Sequence, residues 1–348
     1  MLTKDRIKSI ASEMGFHACG ITAVKSLPEA ESALKAWTDE GKHGEMKYLE
    51  NYEERKNNFW GRFSDAKSII VLGVNYYSKD SNYSPSPSTG RVARYAWGQD
   101  YHQLIAEKIN VLKEKLSQEN GSGIYFESAV DTKPLLERTL SQQAGLGFIG
   151  KQTQLLSLQF GPWLFLSELI TNLPLEPDQP YNGSCGTCRI CIDECPTEAI
   201  DESGHIDARK CIAYLTIEHK TEIPEALRTK MGNWVFGCDE CLNVCPYTAK
   251  QKETTWRALT PEHGFGPSLN LAELFELKSN REHERQFQET AISRANRKQL
   301  LRNAAVVLGN QGDKSVLPVL RKFLPEAPDL VKTHIEWAIG EIESRNKE

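Results

Sequence analysis

The chain has 348 residues, 39% of them hydrophobic and 26% charged, with a formal net charge of −5. That length is too great for one ordinary core and fits two or three domains, and the balance of apolar and charged residues excludes a disordered chain. No apolar run approaches the ~18 residues of a membrane span, and an acidic total offers no global field for nucleic acid, so any such binding needs a local patch.

Met1 to Met14 (MLTKDRIKSIASEM) has neither the apolar stretch nor the cleavage site of a secretory signal, which leads to the expectation of a cytoplasmic protein. Thr3 can cap a helix running to about Met14, Phe16 to Val24 reads as a strand, and Pro28 to Glu40 starts a helix with proline and acidic residues in its first turn. Ser68 to Tyr77 (SIIVLGVNYY) is the best strand, a nearly continuous apolar run suited to a central place. Ser81 to Gly90 is Ser- and Pro-rich and reads as an exposed loop. His102 to Leu116 and Pro134 to Gln143 read as helices, and Gly123 to Ser128 and Trp163 to Thr171 as strands. The alternation predicts an α/β domain over residues 1–175.

Turn chemistry from Pro174 to Gly183 marks a boundary, and a cysteine module follows within 176–252. Residues 253–348 read as wholly helical. Asn303 to Gly309 (NAAVVLG) and His334 to Gly340 (HIEWAIG) repeat 31 residues apart, which suits a HEAT-like helix pair that must pack on the rest of the chain.

Cys185, Cys188, Cys191 and Cys195 before Pro196 form C-x2-C-x2-C-x3-C-P, in which three thiolates wrap one 4Fe-4S cube and the fourth ligates another. A second run, Cys238, Cys241 and Cys245 before Pro246, has Val235 where its first cysteine should stand, and Cys211 can supply the missing thiolate. Cys185, Cys188, Cys191 and Cys245 are assigned to one cluster, and Cys195, Cys211, Cys238 and Cys241 to the other. A pair of four-cysteine zinc sites is the alternative, although zinc ribbons need neither the triple run nor the two C-P endings. Cys19, alone on a predicted strand, reads as an ordinary buried thiol. Two clusters make an electron wire, so the chemistry has to sit elsewhere.

Gly145, Gly147 and Gly150 match G-x-G-x-x-G, but the match follows a predicted helix instead of a strand, which rules out a dinucleotide fingerprint. The glycines either let a loop approach a large ligand, with Lys151 at its rim, or form a helix cap and turn. Asp131, in SAVDTKPLLER, is either a helix N-cap or a general acid at a strand end. Asp100, Tyr101 and His102 stand beside aromatics in RYAWGQDYH, a pattern shared by surface residues at a helix start.

RYAWGQDYH, VDTKPLLERTLSQQAGLGFIGKQT, the two cysteine runs with Cys211 and the helical tail, taken together and in this order, resemble the epoxyqueuosine reductase family over nearly the whole chain. The resemblance implies an α+β multidomain protein: an α/β cobalamin-binding catalytic domain (1–175), a ferredoxin-like module with two 4Fe-4S clusters (176–252) and a HEAT-like tRNA-binding domain (253–348). It implies a reductase that removes the epoxide oxygen of epoxyqueuosine at the wobble position of tRNA, using Co(I) cobalamin fed by the clusters from an external electron donor. It implies Asp131 as the proton donor, held protonated by burial, with Asp100, His102, Gly147, Gly150 and Lys151 near the cobalamin. No D-x-H-x-x-G motif occurs, since Ile105 stands where the glycine would be, so histidine ligation of cobalt through that motif is not expected.

From Thr290 to Lys322 seven basic residues face one acidic one, Asp313. Arg294, Arg297, Lys298 and Arg302 are the expected phosphate contacts, against the plainer reading of a solvated helix face. The chain is expected to act as a monomer away from membranes. A small-molecule corrinoid reductase of the reductive dehalogenase kind and a non-catalytic electron carrier are the competing readings; an α/β region of this size exceeds what a carrier needs.

Overall fold

Strand β2 (Ser68–Asn75) is uncharged and buried at every position. In the computed structural model, which describes residues 2–79, 84–120, 123–249 and 251–345, it lies inside a four-stranded sheet. The sheet runs in the order β1 (Ala18–Ala23), β2, β7 (Leu164–Thr171), β4 (Phe126–Ala129). Each of its pairings is antiparallel, with Ile70 opposite both Ile21 and Leu169. This corrects the α/β expectation for residues 1–175, because a doubly wound domain requires parallel strands. A continuous apolar run reports burial on two faces and not strand direction. Here both faces are covered by helices. Ile69, Val71 and Ile170 meet Phe59 of the helix Tyr52–Arg62 and Leu140 of the helix Glu137–Gln143. Ile70 and Leu72 belong to the core shared with the helices Lys4–Glu13 and Tyr101–Gln118.

The helix Tyr101–Gln118 buries Ile105, Ile109, Leu112 and Leu116, one stripe of a 3.6-residue period. Each contributes about 1.5–3 kcal/mol on burial. Asp100 caps the helix, its side chain accepting from the His102 backbone N–H. Thr3 caps the first helix in the same manner, as its sequence predicts. The helix expected from Pro134 is shorter and begins at Glu137. Of the expected loop 81–90, residues 81–83 lie outside the described residues, and its last two positions enter β3 (Thr89–Val92).

β3 joins a second sheet, parallel to β8 (Trp234–Phe236) and antiparallel to β9 (Ser268–Asn270). One strand comes from each of the three regions of the chain. Gly90 makes the packing possible, because a Cβ there would stand 2.8 Å from that of Val235. A small hairpin, β5 (Phe148–Ile149) with β6 (Leu155–Leu156), completes the strands among the described residues.

In the C-terminal region the helices Arg297–Gln311 and Asp329–Arg345 pack along each other. The two similar segments meet there: a Cβ on Gly309 would come within 2.3 Å of the Trp337 ring. Arg302 is fully buried and donates to the backbone oxygens of Leu215, His219 and Thr221, fastening this helix to the cysteine module. Neighbouring Asn303 does the same to Thr216 and Val235. Arg302 is therefore not an RNA contact, since a guanidinium spent on three buried carbonyls cannot reach a phosphate. No helix among the described residues is long and apolar enough to cross a membrane.

Candidate active site and cluster module

β4 ends at Ala129, and two residues later Asp131 adopts φ +52°, a region that costs a non-glycine residue about 1 kcal/mol or more. Three partners hold it. Its backbone N–H donates to Glu137 Oε1 at 2.8 Å, and its Oδ2 accepts from Tyr101 Oη at 2.9 Å and faces His102 Nε2 at 3.4 Å. His102 Nδ1 stands 2.8 Å from Asp100 Oδ1. Tyr101 is fixed between rings, with Phe165 and His102 each 4.0 Å away by centroid. Asp131 caps no helix, because the next one starts six residues on, behind Leu136.

An imidazole with a carboxylate at each nitrogen favours its charged form. Burial opposes the charge on His102, but the hydrogen bonds to Asp100 and Asp131 outweigh burial and push its pKa up to about 9. For Asp131 burial acts upward, yet His102 and Tyr101 hold it below the usual carboxylate range. Its side chain is 52% exposed. Burial alone would hold Asp131 protonated, as expected from the sequence, but its partners favour the ionised carboxylate beside a charged His102. A histidine whose folded value is raised contributes stability fully below its unfolded value of about 6.5. That contribution is lost as pH rises through about 9. Ring-nitrogen NMR shifts should report imidazolium up to that pH, and a midpoint near 6.5 would refute the pairing.

Each cysteine run spans a short helix, Ile190–Asp193 holding Cys191 and Glu240–Asn243 holding Cys241, and the two helices pack together, while Cys211 stands at the N-cap position of the helix Ile212–Ile217. None of the nine cysteines is in a disulfide. Burial raises the Cys191 thiol, and the nearby Cys185, Cys245 and Cys188 raise it further. Cys238 is raised by burial and then by Cys211 and Cys241, and Cys211 is itself influenced by Cys195. These influences run within the two foursomes assigned from the sequence. Cys241 also feels Cys191, so the foursomes adjoin. Backbone N–H groups point at sulfur as thiolate ligands require: Lys151 to Cys185 at 3.4 Å and Ala199 to Cys195 at 3.3 Å. Cys19 on β1 stands apart, with burial pushing its thiol up to about 12.

The glycine loop serves this module. A Cβ on Gly147 would lie 2.2 Å from Leu156 O, and one on Gly150 would lie 2.1 Å from Gln152 Oε1. Both glycines thus let the β5–β6 hairpin close on itself, in keeping with the turn alternative for this loop. Lys151 Nζ donates to Cys188 O at 2.8 Å, which ties it to the cysteine loop. Gln152 Nε2 approaches Cys245 Sγ at 4.0 Å. The acid site and the module are linked: Arg138, next to Glu137, donates to Thr153 O at 2.6 Å, two residues from Lys151.

Glu137 and Glu168 were not singled out from the sequence. Glu168 had a visible signal, a lone acid within the apolar strand LFLSELIT. Glu137 had none beyond its place in VDTKPLLER.

Residues 184–248 match the family model described as a 4Fe-4S double cluster binding domain, and residues 59–132 match Epoxyqueuosine reductase QueG, DUF1730. The double-cluster match decides against zinc. The epoxyqueuosine reductase of Xanthomonas campestris is 38% identical over 343 residues, covering 97% of this chain and 95% of the relative. That of Escherichia coli is 38% identical over 350 residues, covering 98% and 90%. Among solved structures, epoxyqueuosine reductase from Bacillus subtilis, with its catalytic aspartate loop swung out of the active site, superposes with a TM-score of 0.85 at 30% identity, covering 97% of this chain and 90% of that one. An epoxyqueuosine reductase bound to an epoxyqueuosine-modified tRNA-Tyr stem loop superposes at 0.83 and 28% identity, covering 98% of both chains. With the aspartate site, the paired cysteine runs and this near full-length likeness, the chain belongs to the epoxyqueuosine reductase family.

Proposed function

We propose that the chain reduces epoxyqueuosine in tRNA at the Asp131 site, with His102 as the source of a proton that Asp131 passes to the oxygen released from the epoxide. The observation that carries this reading is the Asp131 carboxylate, held at a positive φ by Glu137, Tyr101 and His102 and joined through Arg138 to the loop against Cys185. When bound, the two clusters supply single electrons and cobalamin supplies the strongly reducing metal centre. Cys185, Cys188, Cys191 and Cys245 would ligate one cluster, and Cys195, Cys211, Cys238 and Cys241 the other. Ile149 and Leu158, 38% and 61% exposed beside the module, offer an apolar surface that the corrin would cover. His102 protonates Asp131 as the oxygen departs, and Tyr101 keeps the carboxylate aimed.

The three-part organisation at 1–175, 176–252 and 253–348 assigns the acid site to the first region, the clusters to the second and tRNA contact to the third, whose paired helices fit a HEAT-like unit. Anaerobic reconstitution with iron, sulfide and cobalamin, then incubation with epoxyqueuosine-bearing tRNA, should yield queuosine on nucleoside analysis. An unchanged nucleoside would refute the reading.

Arg294 is exposed and pairs with Glu218 at 2.8 Å; its charge also reaches Asp131. Lys298 is exposed, whereas Arg297 is half-buried and donates to Leu277 O. We therefore assign phosphate binding to Arg294 and Lys298, with Arg297 secondary. The double variant Arg294→Glu, Lys298→Glu should weaken tRNA binding and lower the salt slope by about one for each phosphate no longer neutralised. An unchanged slope in filter binding would remove the patch.

A further inference from the structure

Glu168 is fully buried in the middle of β7, and neither carboxylate oxygen has a hydrogen-bond partner among the described residues. Strand alternation puts it on the face of Ile170, and the register sets it opposite Val71 and Ala129. All three neighbours belong to the cluster packed under the helix Glu137–Gln143. Glu168 therefore lies beneath the helix whose first residue binds the Asp131 backbone, one strand away from the point where the chain leaves β4 for Asp131. A buried carboxyl without a partner is costly to keep and marks either strain or a task.

The reaction defines a task. Converting an epoxide to a C=C bond and water breaks two C–O bonds and consumes two electrons and two protons. The electrons arrive through the clusters, His102 holds one proton, and a second has to reach the same oxygen before water leaves. We propose that Glu168, acting through Glu137, is the internal store of that second proton and recharges Asp131 within each turnover. It is a positioning and proton-holding residue that does not touch substrate, and the proposal rests on the Asp131 reading. Burial raises the Glu168 pKa well above the carboxylate range, and the charges it feels, Glu137 and Asp131, are of its own sign. Burial and Asp131 together raise Glu137 to about 7, with Arg138 and His102 acting against them, so it can take up and release a proton near neutral pH.

Glu168→Gln keeps the shape and neutrality of the protonated acid but cannot give up a proton. In the reconstituted enzyme it should lower kcat about tenfold or more, leave KM for the modified tRNA unchanged, and alter the pH profile; Glu168→Asp should recover part of the rate. Infrared spectra of the protein without substrate should show a carboxylic-acid C=O band at neutral pH that the Gln variant lacks. The variant should also melt higher than wild type, with the gain vanishing as pH falls into the carboxylate range. Wild-type kcat and pH profile in Glu168→Gln would overturn the proposal, as would absence of the band in the wild-type protein, which needs no variant to fold. Asp131→Asn measured alongside separates the two ideas: if it is slow while Glu168→Gln is not, only the store is lost, and if it is fast, the Asp131 reading fails and takes the store with it.

Discussion

Asp131→Asn should lose about 10²- to 10⁴-fold in turnover, the usual worth of a positioned acid, while binding tRNA and assembling both clusters as wild type does. Asparagine suits the test because it tolerates positive φ better than most residues, so the turn at φ +52° is kept. Its amide oxygen can still accept from Tyr101, while proton transfer and the negative charge are removed. His102 would lose one of its two carboxylates, and its midpoint should move down from about 9. Single-turnover assays with the reduced enzyme isolate the step from electron delivery. Wild-type turnover in this variant would take Asp131 out of the mechanism.

Cys211→Ala should abolish turnover altogether and cut iron content from about eight to about four atoms per chain. Cys211 is the proposed ligand least visible as part of a motif, and it starts the helix Ile212–Ile217, away from both C-x2-C runs. Its thiol lies within the influence of Cys195, and Cys238 in turn lies within that of Cys211. The foursome of Cys185, Cys188, Cys191 and Cys245 contains no contribution from it and should survive. Iron and sulfide analysis with electron paramagnetic resonance of the reduced protein would check this; eight irons remaining would mean that another group ligates.

The cysteine module was legible because thiolate ligands recur at fixed spacings, and the double-cluster family match over residues 184–248 spans both runs and Cys211. The four main strands and the helix from Tyr101 were legible from periodicity. Strand direction was not: the apolar run Ser68–Asn75 reports helices on both faces, whichever way its neighbours point. Charge alone misplaced Arg302, since a helix that buries a guanidinium against carbonyl oxygens reads in sequence like one that displays it. The charge balance at Asp131 was not legible because its partners, Tyr101 and His102, lie 30 and 29 residues back in the chain. Gly147 and Gly150 signalled a close approach, but not that it is the chain's own, the Leu156 backbone at Gly147 and the Gln152 side chain at Gly150.

The sheet of β3, β8 and β9 draws on stretches nearly 180 residues apart. Cutting the chain after residue 175 or 252 would strip β3 of one or both neighbours, leaving amide and carbonyl groups open and Val92 uncovered. Fragments made at those points should aggregate instead of folding separately. The same weave forbids the electron-carrying part from swinging away from the acid, so the gap an electron crosses is set once, when the polypeptide folds, and is not renegotiated at each catalytic cycle.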